Sequence, residues 1–212
     1  GEGPPGAALE RRPAPLSEPA LSLIARVREK ARDGEELFVV GSGTKVPSAL
    51  RRDGREVLST RPLKSIRRLD RPNLIAVVEA GVRMAELKSA LEPEGFFVPL
   101  PLVPGTLGGL LASRPWPGIR DAVLAMRLLL SDGTVCEVGS PVVKSVAGYD
   151  LPRLLLGSWG TLAVILEATL KLSARRPEVP NALPAPRRAP MGPWHRRLKK
   201  AFDPRNLLTR WA

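Results

Sequence analysis

The sequence predicts an α+β fold, and three observations carry that reading. An apolar repeat at helical spacing opens the chain at residues 16–34, several short β-branched runs follow it closely, and Asp132-Gly133 marks a hairpin between two further strands. The chain has 212 residues, 43% hydrophobic and 25% charged, enough for one large or two small domains with a substantial core. Its 23 prolines and 19 glycines call for long irregular connections.

Each element follows from its residues. "LSEPALSLIARVREKARDG" (16–34) has a serine start and a glycine stop around an amphipathic helix. "ELFVVG" is a strand and "GSGTKVPS" the loop after it. "EVLST", "SIRRLD" and "LIAVVEAG" are further strands, and "RMAELKSALEPEG" is a helix ended by Pro93 and Gly95. "FFVPLPLVPGTLGGLLAS" comes next and is assigned no regular element. "IRDAVLAMRLLLSDGTVCEVG" holds the hairpin, and "DLPRLLLGSWGTLAVILEATLKL" is a helix followed by a strand. Residues 174–193, "ARRPEVPNALPAPRRAPMGP", have almost nothing to bury and are expected to be a semi-extended linker. "PWHRRLKKAFDPRNLL" is expected to be a closing helix. Residues 1–15 are expected to be a trimmed or flexible leader, since they contain no apolar core of a signal peptide. The division expected is a first subdomain at 16–100, a second at 101–173, the linker at 174–193 and a C-terminal helix at 194–212.

Several functions are excluded or disfavoured by composition. One cysteine, Cys136, and one histidine, His195, cannot build a disulfide, a zinc cluster or an iron–sulfur centre within this chain, so no metal site is expected. Cys136 reads as a core residue and His195 as part of a solvated helix face. The net charge of +12 is spread along the chain, and aromatics are only 4%, which argues against a nucleic-acid surface with its clustered cations and stacking rings. The longest apolar stretch, 154–170, contains Glu167 and turn glycines, so no membrane span is expected. A cytoplasmic location follows as the default.

Three glycine clusters remain: "GSGTK" (41–45), "PGTLGGLLA" (104–112) and "AGYDLPRLLLGSWGTLAVI" (147–165). Glycine serves where φ is positive or where an anion must approach the main chain without an intervening Cβ. The first cluster follows a β-branched run, as an anion-binding loop does. Pro47 and the basic polar residues beyond it do not look like the helix that a dinucleotide fingerprint or a phosphate-binding P-loop must enter. Ordinary turns account for any single cluster equally well; three together suggest a long ligand lying along backbone.

These motifs resemble the FAD-binding domain of the vanillyl-alcohol-oxidase-type flavoproteins and, within it, the family of FAD-binding subunits of bacterial glycolate oxidase. "GSGTK" stands where that family has its pyrophosphate loop, and "GTLGG" (105–109) where a segment wraps the ribose-phosphate side. "GIRDAVLAMRLLLSDG" resembles the motif before the second subdomain's hairpin, "VVKSVAGYDLPRLLLGSWGTL" (142–162) the stretch lining the adenine and flavin side, and "LKKAFDPRNLL" the C-terminal return. The resemblance covers residues 17–172 and the tail. It implies FAD held by Val40, Gly41, Ser42, Gly43, Thr44 and Lys45, and the attachment is expected to be noncovalent because Cys136 and His195 fall outside the three glycine motifs. It adds Pro101, Gly105, Thr106, Gly108 and Gly109 from the second cluster, and Ala147, Gly148, Tyr149, Gly157, Gly160, Thr161 and Ile165 from the third. Lys45 and Lys144 each offer a cation for phosphate, and a solvated role explains either equally well.

Two departures stand out. Ala163 occupies a position where the family often has glycine. Relatives also insert a substrate-side cap between the last FAD strand and the C-terminal helix, where this chain has its Pro-rich linker. The fold expected is thus a two-subdomain FAD-binding domain with the linker in place of the cap. The resemblance implies an FAD-dependent oxidoreductase subunit of the glycolate oxidase type, not active alone. Its partners would be a second flavoprotein subunit and an iron–sulfur subunit, its substrate a small 2-hydroxy acid, and any membrane association would run through the complex. A scaffold that keeps the fold without flavin is the alternative. No catalytic residue is identified: Tyr149 serves packing as well as chemistry, and His195 lies in the tail.

Overall fold

The computed structural model describes residues 14–46, 54–113, 116–140, 151–180, 183 and 192–209. The leader before residue 14 and much of the linker fall outside them. Helix α1 (Glu18–Asp33) starts where the Ser17 hydroxyl accepts from Ala20 N at 3.3 Å and stops at Gly34, whose φ of 71° is a left-handed cap. Its buried residues Ala20, Leu23, Ile24, Val27 and Ala31 recur three and four apart, the period that puts them on one face.

Strands β1 (Leu37–Val40) and β2 (Glu56–Ser59) pair in parallel, with Leu37 opposite Glu56. A parallel pair needs a crossover, and the glycine loop begins it. The other strands are β3 (Ile66–Asp70), β4 (Ile75–Glu79), β5 (Val123–Leu129), β6 (Val135–Gly139) and β7 (Val164–Lys171). They form one sheet in the order β3-β4-β7-β5-β6, with every neighbouring pair antiparallel. This sheet takes strands from both sides of residue 100. Strand β7, last in sequence, sits in the middle because Val164, Ile165, Leu166, Ala168 and Leu170 are all buried, a run that suits a strand covered on both faces. The Asp132-Gly133 turn falls between β5 and β6 as expected: Gly133 has φ 85°, and the Asp132 carboxylate accepts from Thr134 N at 2.8 Å.

A transverse row of charges crosses the large sheet, with Glu79 opposite Glu167, Glu167 opposite Arg127, and Arg127 opposite Glu137. The buried Arg127 guanidinium lies 2.8 Å from Glu137 and 3.4 Å from Glu167, and donates to the Ala14 carbonyl at 2.9 Å. Burial pushes the Glu167 carboxyl pKa up, against the pull of Arg127. Glu79 accepts from Ser17 Oγ at 2.5 Å and from Ser65 N at 2.8 Å. Buried charges of this kind require partners, and here they fasten the start of α1 to the sheet. Two residues of the expected leader are part of this fastening, since Arg67 donates to the Pro15 carbonyl at 2.7 Å.

Helix α2 (Met84–Leu91) runs into a tight turn at Glu92–Glu94 and ends at Gly95 with φ 80°, where the sequence places its stop. Helix α3 (Leu107–Ser113) is an element the sequence reading lacks. Its two glycines lower helix propensity by about 1 kcal/mol each, but Leu107, Leu110 and Leu111 are fully buried, and that burial decides. Helices α4 (Ile119–Ala122) and α5 (Leu151–Leu155) are short. Helix α6 (Pro193–Phe202) is shorter than expected: backbone at Asp203 leaves the helical region, with φ −140° and ψ 70°. Pro204 explains this, because the residue before proline avoids helical backbone. One hydrophobic cluster reaches from Ala20 on α1 to Leu208 beyond α6, so both sheets share a core.

Candidate functional site

The glycine loop leaves β1 at Gly41 and packs directly on the 104–109 segment. A Cβ on Gly41 would lie 2.3 Å from Thr106 Oγ1, and one on Gly105, at φ 121°, would lie 2.7 Å from Thr44 Oγ1. A side chain at either position would have to displace side-chain atoms of the facing loop, and at Gly105 it would also have to adopt a positive φ. Gly43 has φ 70°, a left-handed conformation. The Thr44 hydroxyl and the Lys45 ammonium both donate to the Pro104 carbonyl, at 3.3 and 3.1 Å. Burial pushes the Lys45 pKa below that of an ordinary lysine. At the start of α3, Thr106 Oγ1 accepts from Gly109 N at 3.3 Å.

A second backbone feature faces this loop. Between α5 and β7 the chain passes through Gly157 at φ 85°, Trp159 at φ 55° and Gly160 at φ 71°. Left-handed backbone is expected of glycine and costly for a tryptophan. The turn is tied to the end of α3 by Gly157 N to Leu111 O and Trp159 N to Ala112 O, both 3.0 Å. Gly160 also lets the turn approach β1, since a Cβ there would lie 3.1 Å from Val39 Cβ.

Between the two lies a cleft with about 640 Å³ of empty space, its open mouth included. Of the residues named from sequence, Val40, Gly41, Ser42, Gly43, Thr44 and Lys45 line one side. Gly108, Gly109, Gly160 and Ile165 line it too. Gly105, Thr106, Gly157 and Thr161 brace the walls from behind and do not line the cleft, and neither does the buried Pro101. Gly108 is close to Ala80, 2.9 Å from a would-be Cβ to Ala80 Cβ, so packing already accounts for its being glycine. Lys144, Ala147, Gly148 and Tyr149 lie outside the described residues.

The sequence reading missed Val39, Val46 and Thr60, the α3 residues Ala112 and Ser113, and Ser158, Trp159 and Ala163, which complete the lining. A search by glycine passes over them. For Ala112, Ser113 and Ala163 the signal was small size, which leaves space beside the loop. Among the described lining residues only Lys45 titrates near neutral or alkaline pH, and no carboxylate or imidazole faces the cleft. Cys136 on β6 and His195 on α6 do not line it. No group of three potential metal-ligating side chains occurs among the described residues, and none of their helices is long and apolar enough to cross a membrane. The arrangement offers glycine backbone in both walls, hydroxyls from Ser42 and Thr44, one cation and an apolar floor. That set fits a ligand with a diphosphate and flat ring systems.

The fold and cleft define an α+β domain with a site suited to a ligand that carries a diphosphate, and comparison with known proteins gives the family. The family described as FAD binding domain matches residues 18–139, so the chain belongs to that family, and FAD is the cofactor of its domain. It is 39% identical over 118 residues to the mitochondrial D-lactate dehydrogenase [cytochrome] of Arabidopsis thaliana, covering 52% of this chain and 21% of that protein. It is 33% identical over 167 residues to glycolate oxidase subunit GlcE of Escherichia coli, covering 73% of this chain and 47% of that one. Glycolate oxidase subunit GlcD of Bacillus subtilis is 33% identical over 154 residues, which is 68% of this chain and 33% of that one. The chain therefore matches less than half the length of each of these relatives. A solved structure of alkyldihydroxyacetonephosphate synthase superposes with a TM-score of 0.61 at 24% identity, over 75% of this chain and 33% of that one; at that identity it shows the fold alone.

Proposed function

We propose that the cleft holds FAD with its diphosphate against Gly41–Lys45, and that the chain is the flavin-holding subunit of a glycolate-oxidase-like complex. The complex would oxidise a small 2-hydroxy acid to the 2-oxo acid. The interlocked loops carry the binding half of this reading, since a Cβ on Gly41 or Gly105 would press on side chains of the facing loop and Gly43 is left-handed. Amides of that loop would meet the phosphates and Lys45 would offset their charge, while Val39, Val40, Ala163 and Ile165 offer apolar surface to a ring. Relatives named as glycolate oxidase subunits and D-lactate dehydrogenases support the reaction class.

Bound FAD supplies the two-electron oxidant in such a reaction, and the protein's part is to bind, orient and exclude water. Lys45 is assigned to the diphosphate and the described lining holds no carboxylate or imidazole, so proton transfer is assigned to a partner, a second flavoprotein subunit. A single cysteine cannot hold an iron–sulfur cluster alone, so electrons would leave through an iron–sulfur subunit. Flavin is held noncovalently in this reading, because Cys136 and His195 are away from the cleft. Acid precipitation should then release all of it.

The test is to purify the complex from its source and count flavin per chain. The expected result is FAD on this chain, lost on dialysis when the chain is isolated, with glycolate-dependent dye reduction only when the partners are present. A chain that stays colourless with added FAD would end the flavin reading. Turnover by the isolated chain would end the division of labour.

A further inference from the structure

Lys199, on α6, is buried at 6% exposure. Its ammonium donates to Asp203 Oδ2 at 2.5 Å, to the Thr161 carbonyl at 2.7 Å and to the Leu208 carbonyl at 3.1 Å. Asp203, 1% exposed, in turn accepts from Leu207 N at 2.9 Å and from Leu208 N at 2.8 Å. The ion pair thus folds residues 203–209 back on α6 and fixes the result to the turn that ends at Thr161.

The same segment reaches the other wall of the cleft. Leu37 N donates to the Leu207 carbonyl at 2.7 Å, and Val39 N donates to Thr209 Oγ1 at 3.0 Å. Leu37 and Val39 belong to β1, the strand that runs directly into the glycine loop. A Cβ on Gly160 would sit 3.7 Å from Thr209 Oγ1, so the segment passes behind both the strand and the turn. Backbone groups that must find partners find them here in a piece of chain far away in sequence.

We propose that Lys199 is a positioning residue for the cleft: through Asp203 and residues 207–209 it sets the distance between the wall that begins at β1 and the wall at 157–161. It touches no ligand. Its effect rests on the reading that the cleft holds FAD, but the geometry it controls exists without ligand. A buried ammonium with several acceptors is costly to lose, because its carboxylate partner is then left alone, and the walls lose their common tie in the same step.

Two variants separate positioning from mere stability. Lys199→Met removes the ammonium. Lys199→Met combined with Asp203→Asn also removes the stranded charge while leaving one side-chain oxygen for one of the segment's two amides, so it recovers part of the folding stability lost in the single variant. In this chain, FAD affinity measured by flavin fluorescence should fall about tenfold or more in both variants, and should not recover in the double variant as melting temperature does. Hydrogen exchange without ligand should quicken about tenfold at Val39 and at residues 157–161, while the centre of β7 stays protected. Thr209→Val, which removes a single bond to β1, should give a smaller change of the same kind if Lys199→Met does not fold. Affinity that returns with stability in the double variant, or exchange that rises evenly over the sheet, would overturn the proposal. A wild-type chain that binds no FAD would end the flavin reading, and the exchange pattern would still decide the role of Lys199.

Discussion

The two walls of the cleft meet the same requirement in different ways. Both turn through left-handed backbone, at Gly43 on one side and at Gly157, Trp159 and Gly160 on the other. The 41–46 loop is held by partly exposed side chains, Thr44 and Lys45, that converge on one carbonyl at Pro104. The 157–161 turn is held by backbone bonds to α3 and by the buried Lys199. Exposed, side-chain-mediated contacts open locally at small cost, while buried ones open with the surrounding core. The first wall is therefore the adjustable one and the second the fixed reference. Backbone substitutions should sort accordingly, those in the first wall changing mainly binding and those in the second costing stability.

The sharpest test of the adjustable wall is Gly43→Val. A β-branched residue at φ 70° is strained, and the loop can relieve that strain by moving because few buried contacts hold it. FAD affinity is expected to fall at least about a hundredfold, some 2.7 kcal/mol, with the melting temperature nearly unchanged. Titration of the apo chain together with a thermal melt reads both. Wild-type affinity would place the diphosphate elsewhere.

Gly160→Ala tests the fixed wall. The added Cβ meets Val39 at 3.1 Å with φ at 71°, and the surrounding contacts leave it little room to relax. A stability loss of about 1–3 kcal/mol is expected, which for a chain of this size lowers the melting temperature by roughly 2–4 °C per kcal/mol. A large affinity loss without a stability loss would put this turn on the adjustable side.

Lys45→Met should weaken FAD binding more modestly, by about three- to tenfold, because a single cation near phosphate is partly screened. The pH profile identifies it. The protonated lysine favours an anionic ligand, and burial lowers its pKa from 10.5, so affinity should decline with rising pH sooner than an ordinary lysine would allow. In Lys45→Met that decline should vanish. An unchanged profile would assign it to another group.

Why one wall could be read from sequence and the other only in part follows from what holds them. The 41–45 loop announces itself, because a β-branched strand running into Gly-Ser-Gly-Thr-Lys is a local pattern. The hairpin at Asp132-Gly133 and the stop of α2 at Gly95 are local in the same sense. Helix α3 was not legible, since its glycines speak against a helix and only the tertiary burial of Leu107, Leu110 and Leu111 overrides them. Sequence likewise extended α6 past Pro204, although that proline was a readable stop. The tie from Lys199 to Thr161 spans 38 residues, and nothing in a run of basic residues marks the one that is buried. Trp159 was passed over because tryptophan is not a residue associated with left-handed turns.

That tryptophan gives the smallest effect and the most specific one. At φ 55° any side chain carries a backbone penalty that glycine does not, about 1–2 kcal/mol, while glycine gives back part of it through a more flexible unfolded chain. Trp159→Ala keeps the penalty and loses the ring's half-buried contacts, whereas Trp159→Gly loses the same contacts and the penalty with them. The glycine variant should therefore be more stable than the alanine variant by about 1 kcal/mol, the reverse of their order in a helix, and both should lose the same share of FAD affinity because the ring that lines the cleft is gone from each. Melting temperatures of the pair read the backbone penalty, and flavin titration reads the ring. An alanine variant at least as stable as the glycine variant would mean that the turn relaxes out of its left-handed conformation once the ring is removed, and 157–161 would then belong with the adjustable wall.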